Sequence, residues 1–526
     1  MTKGYHCFVL HAHLPYIRHP EKEGYLEERW LFEAITETYL PLIKTMNNLV
    51  QDNVPFRLTI SISPPLASML TDNLLQERYL KHLKNLQELA EKEVVRTKYD
   101  DHLLMLARMY QQHFQESEEL FLGYQKNILN AFKELQYKGV LELITCCATH
   151  TFLPLFQDFP ETVAAQVKLA VATHRRLIEA HPGGIWLPEC GYYEGLDSIL
   201  AKHDIRYFIC DTHGVLFSDP QPKYGSYAPV VSPSGVAAFP RDRESSKQVW
   251  SAQEGYPGDV DYREYYRDIG YDLELDYLNP HLPAPGLRVN TGIKYHRITG
   301  KSDFKEWYNP GWAKEKAISH AGNFMFNREK QIEYAGSSMD IPPVVVSPYD
   351  AELFGHWWFE GPKWLEYYLR KVAYDQQVYR MVTPGEYLSM GHQLQPAQPS
   401  PSSWGNQGYN QVWLDDSNSW IYPHLHHFNR QLIGLVKECQ PKNHLEVRTL
   451  NQAVRELILA QSSDWAFIMK TGTMVEYAHK RTKNHLAWHR RLIEQLEANE
   501  IDENFLEGLE NTNNIFPDLD YKVYCQ

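Results

Sequence analysis

Cysteine is scarce in this sequence, and its pattern argues against two kinds of site. Seven cysteines occur among 526 residues, an odd number with no Cys-x-x-Cys pair. Neither a disulfide framework nor a thiolate zinc site is therefore expected. The sequence also lacks an apolar run of about 18 residues, and its first apolar stretch is too short for a signal peptide. These absences predict a reduced, cytoplasmic protein without a membrane anchor.

Positive charge is also in short supply. Lys and Arg total 52 against 66 Asp and Glu, which gives a net charge of -14. This balance argues against nucleic acid and anionic membranes as partners, because both require a basic surface. The sequence contains no Walker motif, no dinucleotide-binding glycine motif and no nucleophile elbow, so no cofactor is expected. Nothing in the sequence indicates an oligomeric state.

Aromatic residues, in contrast, are abundant. They make up 13% of the chain and include 13 Trp and 34 Tyr. Part of this content belongs to the core, because large aromatic side chains contribute most to packing. A pyranose ring also presents a flat C–H face that stacks on indole and phenol rings. The composition therefore favours a neutral glycan as ligand.

Short apolar runs that end in polar residues recur along the chain. Strands are predicted at 5–10, 57–62, 140–148, 184–187, 205–210 and 343–346. The polar residues at or just beyond their carboxyl ends are His11, His13, His150, Glu189, Asp211, His213 and Asp350. Strands that alternate with helices predict an α/β fold, as a parallel β/α barrel or a doubly wound sheet. In both folds the active site lies at the carboxyl ends of the strands.

The remaining segments predict the domain organisation. We expect a catalytic domain over residues 1–400, with a helical insertion at about 66–137 and an irregular insertion at about 212–340. A polar, Pro/Ser-rich linker is predicted at 392–411. Strong helical periodicity beyond it predicts an all-helical C-terminal domain at 411–526.

Two carboxyl groups are the candidate catalytic residues. Glu189 follows Pro188 directly, and this rigid position suits a nucleophile. Asp350 precedes Trp357 and Trp358, and an apolar pocket there would raise its pKa and keep it protonated as a general acid. Glu352 is the alternative acid. Carboxyl groups about 5 Å apart suit a retaining glycosidic mechanism.

The His11-Ala12-His13 sequence is compatible with two chemistries. Such a pair binds sugar hydroxyls, or it ligates a metal together with His150, Asp211 or Asp350. The tryptophans Trp404 and Trp413 lie in or just after the polar linker, where stacking on sugar explains them better than a place in the core. Asp464 gives a weaker signal for the same function.

The segments HAHLPY, WLPECGY and SPYDAELFGHWW together resemble glycoside hydrolase family 57 over essentially the whole chain. The GHWW and WGNQGY segments and the helical C-terminal region are similar to the 1,4-α-glucan branching enzymes of that family. The resemblance implies a (β/α)7 barrel and double displacement, with Glu189 as nucleophile and Asp350 as proton donor. An α-1,4-glucan chain would be cleaved and transferred to a 6-hydroxyl, which forms an α-1,6 branch.

The resemblance also implies a set of substrate-binding residues and no metal. These are His11, His13, Trp30, Arg241, Trp250, Gly258, Trp357, Trp404, Trp413 and Asp464. One segment departs from the family, because the stretch from Asp211 to Arg241 looks short for a mobile loop with an essential tyrosine. Tyr224 and Tyr227 are the candidates for that tyrosine, and a short loop would favour hydrolysis.

Four functions therefore remain open at this point. The first is a branching transferase, and the second is a family 57 hydrolase of α-1,4-glucan or a 4-α-glucanotransferase. The third is a glycan-binding protein without activity. The fourth is a metal-dependent glycosidase that uses His11 and His13.

Overall fold

The fold is built on one curled sheet, seen in a computed structural model that describes residues 2–251 and 254–525. Its strands are Gly4–Ala12 (β1), Leu58–Ile62 (β2), Leu141–Cys146 (β3), Gly184–Trp186 (β4), Tyr207–Cys210 (β5), Val230–Val231 (β6), Ala237–Pro240 (β7), Val344–Asp350 (β8), Tyr379–Met381 (β9) and Gln395–Pro396 (β10). Seven of them are parallel, in the order β7-β5-β4-β3-β2-β1-β8. The predicted (β/α)7 class with a helical C-terminal region is confirmed.

Two of the other three strands, β6 and β10, make the sheet mixed. β6 runs antiparallel to β7, and β10 pairs with β6 in parallel. β9 pairs in parallel with the first part of β1. Between β7 and β8, the N–H of Asp242 donates to the carbonyl of Val346 at 2.7 Å. The seven strands of the parallel run are largely buried on both faces, which explains their mainly apolar sequences.

The register of β1 positions polar residues at one end of the sheet. His11 pairs with Asp350 of β8 on one side and with Ser61 of β2 on the other. Because these strands are parallel, their carboxyl ends lie at the same edge. Residues distant in sequence are therefore adjacent there.

Helices surround the sheet and form the C-terminal region. The α-helices are Glu28–Ala34, Leu40–Gln51, Pro64–Leu70, Asn73–Arg96, Asp101–Gly123, Leu129–Tyr137, Pro160–Ile178, Leu196–Lys202, Thr212–Leu216, Arg243–Trp250, Ile269–Asp272, Leu275–Leu278, Pro310–Gly336, Gly361–Tyr374, Pro384–Ser389, Ile421–Glu438, His444–Ala460, Ser463–Thr471, Val475–Ala498 and Glu503–Thr512. A π-helical segment, Ile35–Tyr39, joins the first two into one continuous helix. No helix in the described ranges is long and apolar enough to cross a membrane.

The prediction for one segment was wrong in part. The insertion at 212–340, predicted as irregular, contains the helix Pro310–Gly336 of 27 residues. Its buried side includes Ala313, Ala317 and Ala321, spaced by four. Small residues bury a helix face without producing strong amphipathic contrast, so the sequence showed little periodicity. Asn309 begins the helix by accepting hydrogen bonds from two of its backbone N–H groups.

The segment predicted as a linker, 392–411, is bound to the barrel. Ser402 pairs with Tyr192 through two backbone hydrogen bonds, and the N–H of Trp404 donates to the carbonyl of Glu189 at 2.9 Å. The segment thus crosses the carboxyl edge of the sheet before the helix Ile421–Glu438 begins. The domain boundary at about 400–411 stays a prediction.

Candidate active site

A cavity of about 560 Å³ lies at the carboxyl ends of the strands. Its walls contain both candidate catalytic acids and most of the predicted substrate-binding residues. These predicted residues are Glu189, Asp350, His11, His13, Arg241, Trp250, Trp357, Trp404, Trp413 and Asp464. The other lining residues are Leu14, His150, Glu352, Leu353, Gly405, Val412 and Phe467. A larger groove, of about 1100 Å³, lies near the amino ends of β3 and β9 and contains none of these side chains.

Glu189 is held rigidly after β4. Its backbone has φ of +60°, a conformation that a residue with a side chain rarely adopts outside strained or functional positions. The Nε1–H of Trp404 donates to one carboxylate oxygen at 2.8 Å, and the Ser463 hydroxyl donates to the other at 3.0 Å. Burial raises the pKa of Glu189 to about 7, against the lowering effect of these hydrogen bonds. The carboxyl is thus oriented by two donors and is partly ionised at neutral pH.

Asp350 ends β8 in a different electrostatic environment. Burial raises the pKa of its carboxyl well above the usual value, and the negative charges of Glu352 and Glu189 raise it further. Arg241 has the opposite, smaller effect. The protonated form of Asp350 is thereby favoured, which suits a general acid.

Glu352 lies beside Asp350 and is held by the chain around it. The hydroxyl of Tyr39 and the backbone N–H of His13 both donate to its Oε1. Tyr39 belongs to the π-helical segment, a distortion that often occurs at functional sites. With its carboxyl anchored in this way, Glu352 influences the charge on Asp350.

Three histidines form a stack on one wall. The rings of His13 and His150 lie 3.7 Å apart and 8° from parallel, and His11 stacks on Trp186 at 4.6 Å. Burial lowers the pKa of His11 and of His150 well below the usual value, so both imidazoles are neutral. The ring nitrogens of His11 and His150 bond to Ser61, to Ser463 and to each other, so these two rings are fixed in the wall by the protein itself.

Asp464 fixes the exposed end of this stack. It accepts from Nε2 of His13 at 3.0 Å. Burial by itself raises the pKa of the Asp464 carboxyl, but His13 outweighs that effect and holds the pKa at about 2. Asp464 lies at the start of the helix Ser463–Thr471 and is therefore a charged contact from the C-terminal region.

The histidine stack also bears on the metal hypothesis. His13, His150 and Asp464 are close enough to surround an ion, as are His11, Cys146 and His150. A histidine nitrogen directs its lone pair in the plane of its ring. Since His13 and His150 lie in nearly parallel planes, one ion cannot lie in both. This geometry argues against an ion shared by His13, His150 and Asp464.

The predicted tryptophans occupy different environments. Trp357 and Trp250 are partly exposed on the cavity wall, and Trp404 contacts Glu189. Trp413 is buried and stacks on Phe152 at 4.6 Å, so the prediction that it is exposed was wrong. Its indole completes the floor beside Gly405, where the crossing segment 392–411 packs on the barrel.

Several predicted residues lie outside the cavity wall. Trp30 packs edge-on against Tyr477, and Gly258 lies in the short turn Tyr256–Gly258. Tyr224 donates from its hydroxyl to Asp340 at the surface, away from the cavity. The described residues thus contain no counterpart of the lid tyrosine at this cavity, because Tyr227, the other candidate, also lies outside its lining.

Asp211 and His213 lie at the carboxyl end of β5 but do not line the cavity. They pair with each other at 3.1 Å, and Asp211 also lies 3.5 Å from the guanidinium of Arg241. His213 contacts the carbonyl of Gly408 at 2.6 Å. This pair therefore holds Arg241 and the crossing segment in position.

Sequence reasoning missed the contribution of Ser463 and Phe467. Both come from the helix Ser463–Thr471, about 270 residues beyond Glu189 in sequence, and both reach the site. The Ser462-Ser463-Asp464 run, which resembles a helix N-terminus, was the available signal.

Models of known protein families match most of the chain. Residues 7–330 match the model of glycosyl hydrolase family 57, and residues 424–524 match a model described as 1,4-α-glucan branching enzyme, C-terminal. The 1,4-α-glucan branching enzyme TK1436 of Thermococcus kodakarensis is 32% identical, over 98% of this chain and 77% of the relative.

Solved structures give the same family. The structure of the α-amylase AmyC from Thermotoga maritima is 47% identical, with a TM-score of 0.94 over 100% of this chain and 99% of that one. A family 57 branching enzyme from Pyrococcus horikoshii is 31% identical, with a TM-score of 0.89 over 99% and 97% of the two chains. Because the family model covers more than half of the sequence and these relatives span nearly all of it, the chain belongs to glycosyl hydrolase family 57.

Proposed function

We propose that this chain is a 1,4-α-glucan branching enzyme that works by retaining double displacement. The observation that carries the proposal is the pair of differently tuned acids, Glu189 and Asp350, on the wall of one cavity lined with aromatic rings. Burial raises the pKa of Glu189 to about 7, while Asp350 also feels the negative charges of Glu352 and Glu189. Two acids with separate environments can take the separate roles of nucleophile and proton donor.

The geometry supports a two-step reaction. In the first step, Glu189 attacks the anomeric carbon of the glucan while Asp350 gives its proton to the departing glycosidic oxygen. The C1–O bond breaks as the C1–Oε bond forms, which leaves a glycosyl ester on Glu189. In the second step, ionised Asp350 takes the proton of a 6-hydroxyl whose oxygen attacks C1 and releases Glu189.

The C-terminal helices support the branching assignment. Their sequence matches the model named for the C-terminal part of branching enzymes, and they supply Ser463, Asp464 and Phe467 to the cavity. The relatives named as branching enzymes extend over nearly the whole chain. An acceptor glucan would contact this wall, because Ser463 donates directly to Glu189.

Hydrolysis is the second candidate, and one observation favours it. Neither Tyr224 nor Tyr227 lines the cavity, so no lid tyrosine among the described residues excludes water from the glycosyl ester. The 47% identical structure is named as an α-amylase. Transfer to a 4-hydroxyl, as in a 4-α-glucanotransferase, is the remaining alternative for the second step.

Product linkage distinguishes these outcomes. The purified chain is incubated with amylose, and new α-1,6 linkages are counted by proton NMR beside new reducing ends. Branching predicts α-1,6 linkages with few reducing ends. Reducing ends alone would establish hydrolysis, and altered chain lengths without either signal would establish 4-α-transfer. Both of these results would contradict the branching proposal.

Replacing Trp404 by Phe removes the indole N–H that donates to Glu189. Because this hydrogen bond lowers the pKa of Glu189, its loss raises the pKa above about 7. The acidic limb of the kcat/KM profile therefore moves to higher pH, and neutral activity falls about ten- to a hundredfold. The profile is measured beside Trp420→Phe, whose indole packs on His479. An unmoved acidic limb would contradict the assigned contact.

Replacing Glu352 by Gln removes a negative charge next to Asp350 but keeps an acceptor for Tyr39. Since the charge of Glu352 raises the pKa of Asp350, that pKa falls in the variant. Activity requires protonated Asp350, so the basic limb of the pH profile moves to lower pH while the acidic limb changes less. A basic limb that stays in place would show that Asp350 is not the group that titrates there.

A further inference from the structure

Three extended segments lie side by side in the excursion between residues 254 and 309. Arg263 bridges antiparallel to Arg297, and His296 bridges antiparallel to Trp307. The N–H of Glu264 donates to the carbonyl of His296 at 2.9 Å, which fixes the register of the first pair. The segments therefore form a small sheet-like patch outside the catalytic cavity.

The register determines which side chains of the three segments are neighbours. Glu264, His296 and Trp307 stand in one row, in which Glu264 and His296 are buried and Trp307 is partly exposed. Tyr266 follows Glu264 at a bend of the chain and is exposed. The opposite face carries Tyr295 and Tyr308, which are buried in the core.

Two aromatic rings are exposed on the outer face. Tyr266 is 78% exposed and Trp307 is 46% exposed. A polymer that crosses the patch would meet both rings.

The patch is continuous with the catalytic cavity through Trp357. This residue lines the cavity and is 51% exposed. The ring of Tyr265 stacks on it at 4.3 Å, and the ring of Tyr266 lies edge-on to Tyr265 at 5.1 Å. A row of rings thus leads from the cavity wall onto the outer face.

Tyr265 is held firmly within this row. Its hydroxyl hydrogen-bonds to Nε2 of His356 at 3.2 Å, and Nζ of Lys294 lies 4.0 Å from the centre of its ring. His356 in turn pairs with the buried carboxylate of Glu37 at 2.7 Å. Since one face of Trp357 is covered by this fixed ring, the indole is preorganised to present its other face.

Polar groups accompany the exposed rings. Asp272 pairs with Arg267 at 3.0 Å and lies 3.8 Å from His296, whose ring packs under Trp307 at 4.7 Å. Aromatic faces flanked by hydrogen-bonding groups suit a neutral, polyhydroxylated chain. A carbohydrate polymer therefore fits this surface better than a charged or purely apolar partner.

We propose that Trp357, Tyr266 and Trp307 form an external track that binds α-glucan beyond the subsites of the cavity, with Tyr265 fixed between the first two. This inference rests on the proposed function, because it requires a polymer to extend from the cavity. The track binds chains long enough to leave the cavity and gives no advantage to short ones. It therefore makes the enzyme selective for polymer over oligosaccharide.

The experiment uses the full chain with Tyr266→Ala, Trp307→Ala and the double variant. The matched control is Tyr334→Ala, since Tyr334 is also 78% exposed but lies on the helix Pro310–Gly336 near the opposite end of the barrel. Each single variant is expected to raise KM for amylose about three- to tenfold, with kcat kept, and the double variant more. Kinetics on maltoheptaose are expected to stay at the wild-type level.

Retardation in a native gel containing amylose provides a readout that does not depend on catalysis. The track predicts weaker retardation of the double variant than of the wild type and the Tyr334→Ala control. Equal retardation, or an equal loss on amylose and maltoheptaose, would overturn the track. A retarded wild type that lacks activity would instead contradict the proposed function, and weaker retardation of the double variant would still support the track.

Discussion

The Glu189→Gln variant is expected to lose at least about 10⁴-fold of its turnover on α-1,4-glucan, because an amide cannot form the glycosyl ester. The side chain keeps its size, and the cavity keeps its shape. Trp404 and Ser463 both donate to the carboxylate, so one of them would face an amide N–H in the variant. The loss is therefore accompanied by a modest decrease in thermal stability. Turnover is measured as product release from amylose.

The matched control for this variant is Glu194→Gln. Glu194 follows Glu189 by five residues and is exposed. Its replacement is expected to leave turnover within a factor of about two. If Glu189→Gln retained more than a tenth of the wild-type activity, Glu189 would not be the nucleophile, and the double-displacement account would need another carboxylate.

The second large effect concerns Asp350 and depends on the leaving group. Asp350→Asn is expected to lower turnover on amylose about 10³-fold, because the departing sugar oxygen receives no proton. An α-maltosyl fluoride needs little protonation to leave, so the first step should remain fast on that substrate. The variant should therefore show a burst of fluoride, followed by slow breakdown of the glycosyl enzyme.

The pH dependence of the same variant gives an independent readout. In the wild type, activity on glucan is expected to fall at low pH as Glu189 becomes protonated and at high pH as Asp350 loses its proton. The basic limb should disappear from the first step in Asp350→Asn. Asp340→Asn is the control, since Asp340 pairs with Lys223 at the surface. Equal losses on amylose and on the fluoride would contradict the role of Asp350 as acid.

The sequence was informative where local patterns determine structure. Buried apolar runs predicted the strands, and the polar residues at their ends predicted the clustering of His11, Glu189 and Asp350, which the parallel register explains. The apolar environment of Asp350 was also predicted from the aromatic residues beyond it. Of these, Trp357 lines the cavity, whereas Trp358 is buried in the core.

Tertiary contacts determined the parts that the sequence did not reveal. No local pattern states that Ser463 donates to Glu189, because the two meet only when the C-terminal helices pack on the barrel. Trp413 follows a polar stretch and looked exposed, yet it is buried against Phe152. The helix Pro310–Gly336 was missed because alanines bury its inner face.

Identification of the covalently modified residue tests the central claim, that Glu189 is the nucleophile and Asp350 the proton donor. The Asp350→Asn variant is mixed with α-maltosyl fluoride, denatured during the burst, digested and analysed by mass spectrometry. The account predicts a single maltosyl adduct on Glu189. An adduct on another residue, or no adduct together with a first product of inverted anomeric configuration, would contradict it.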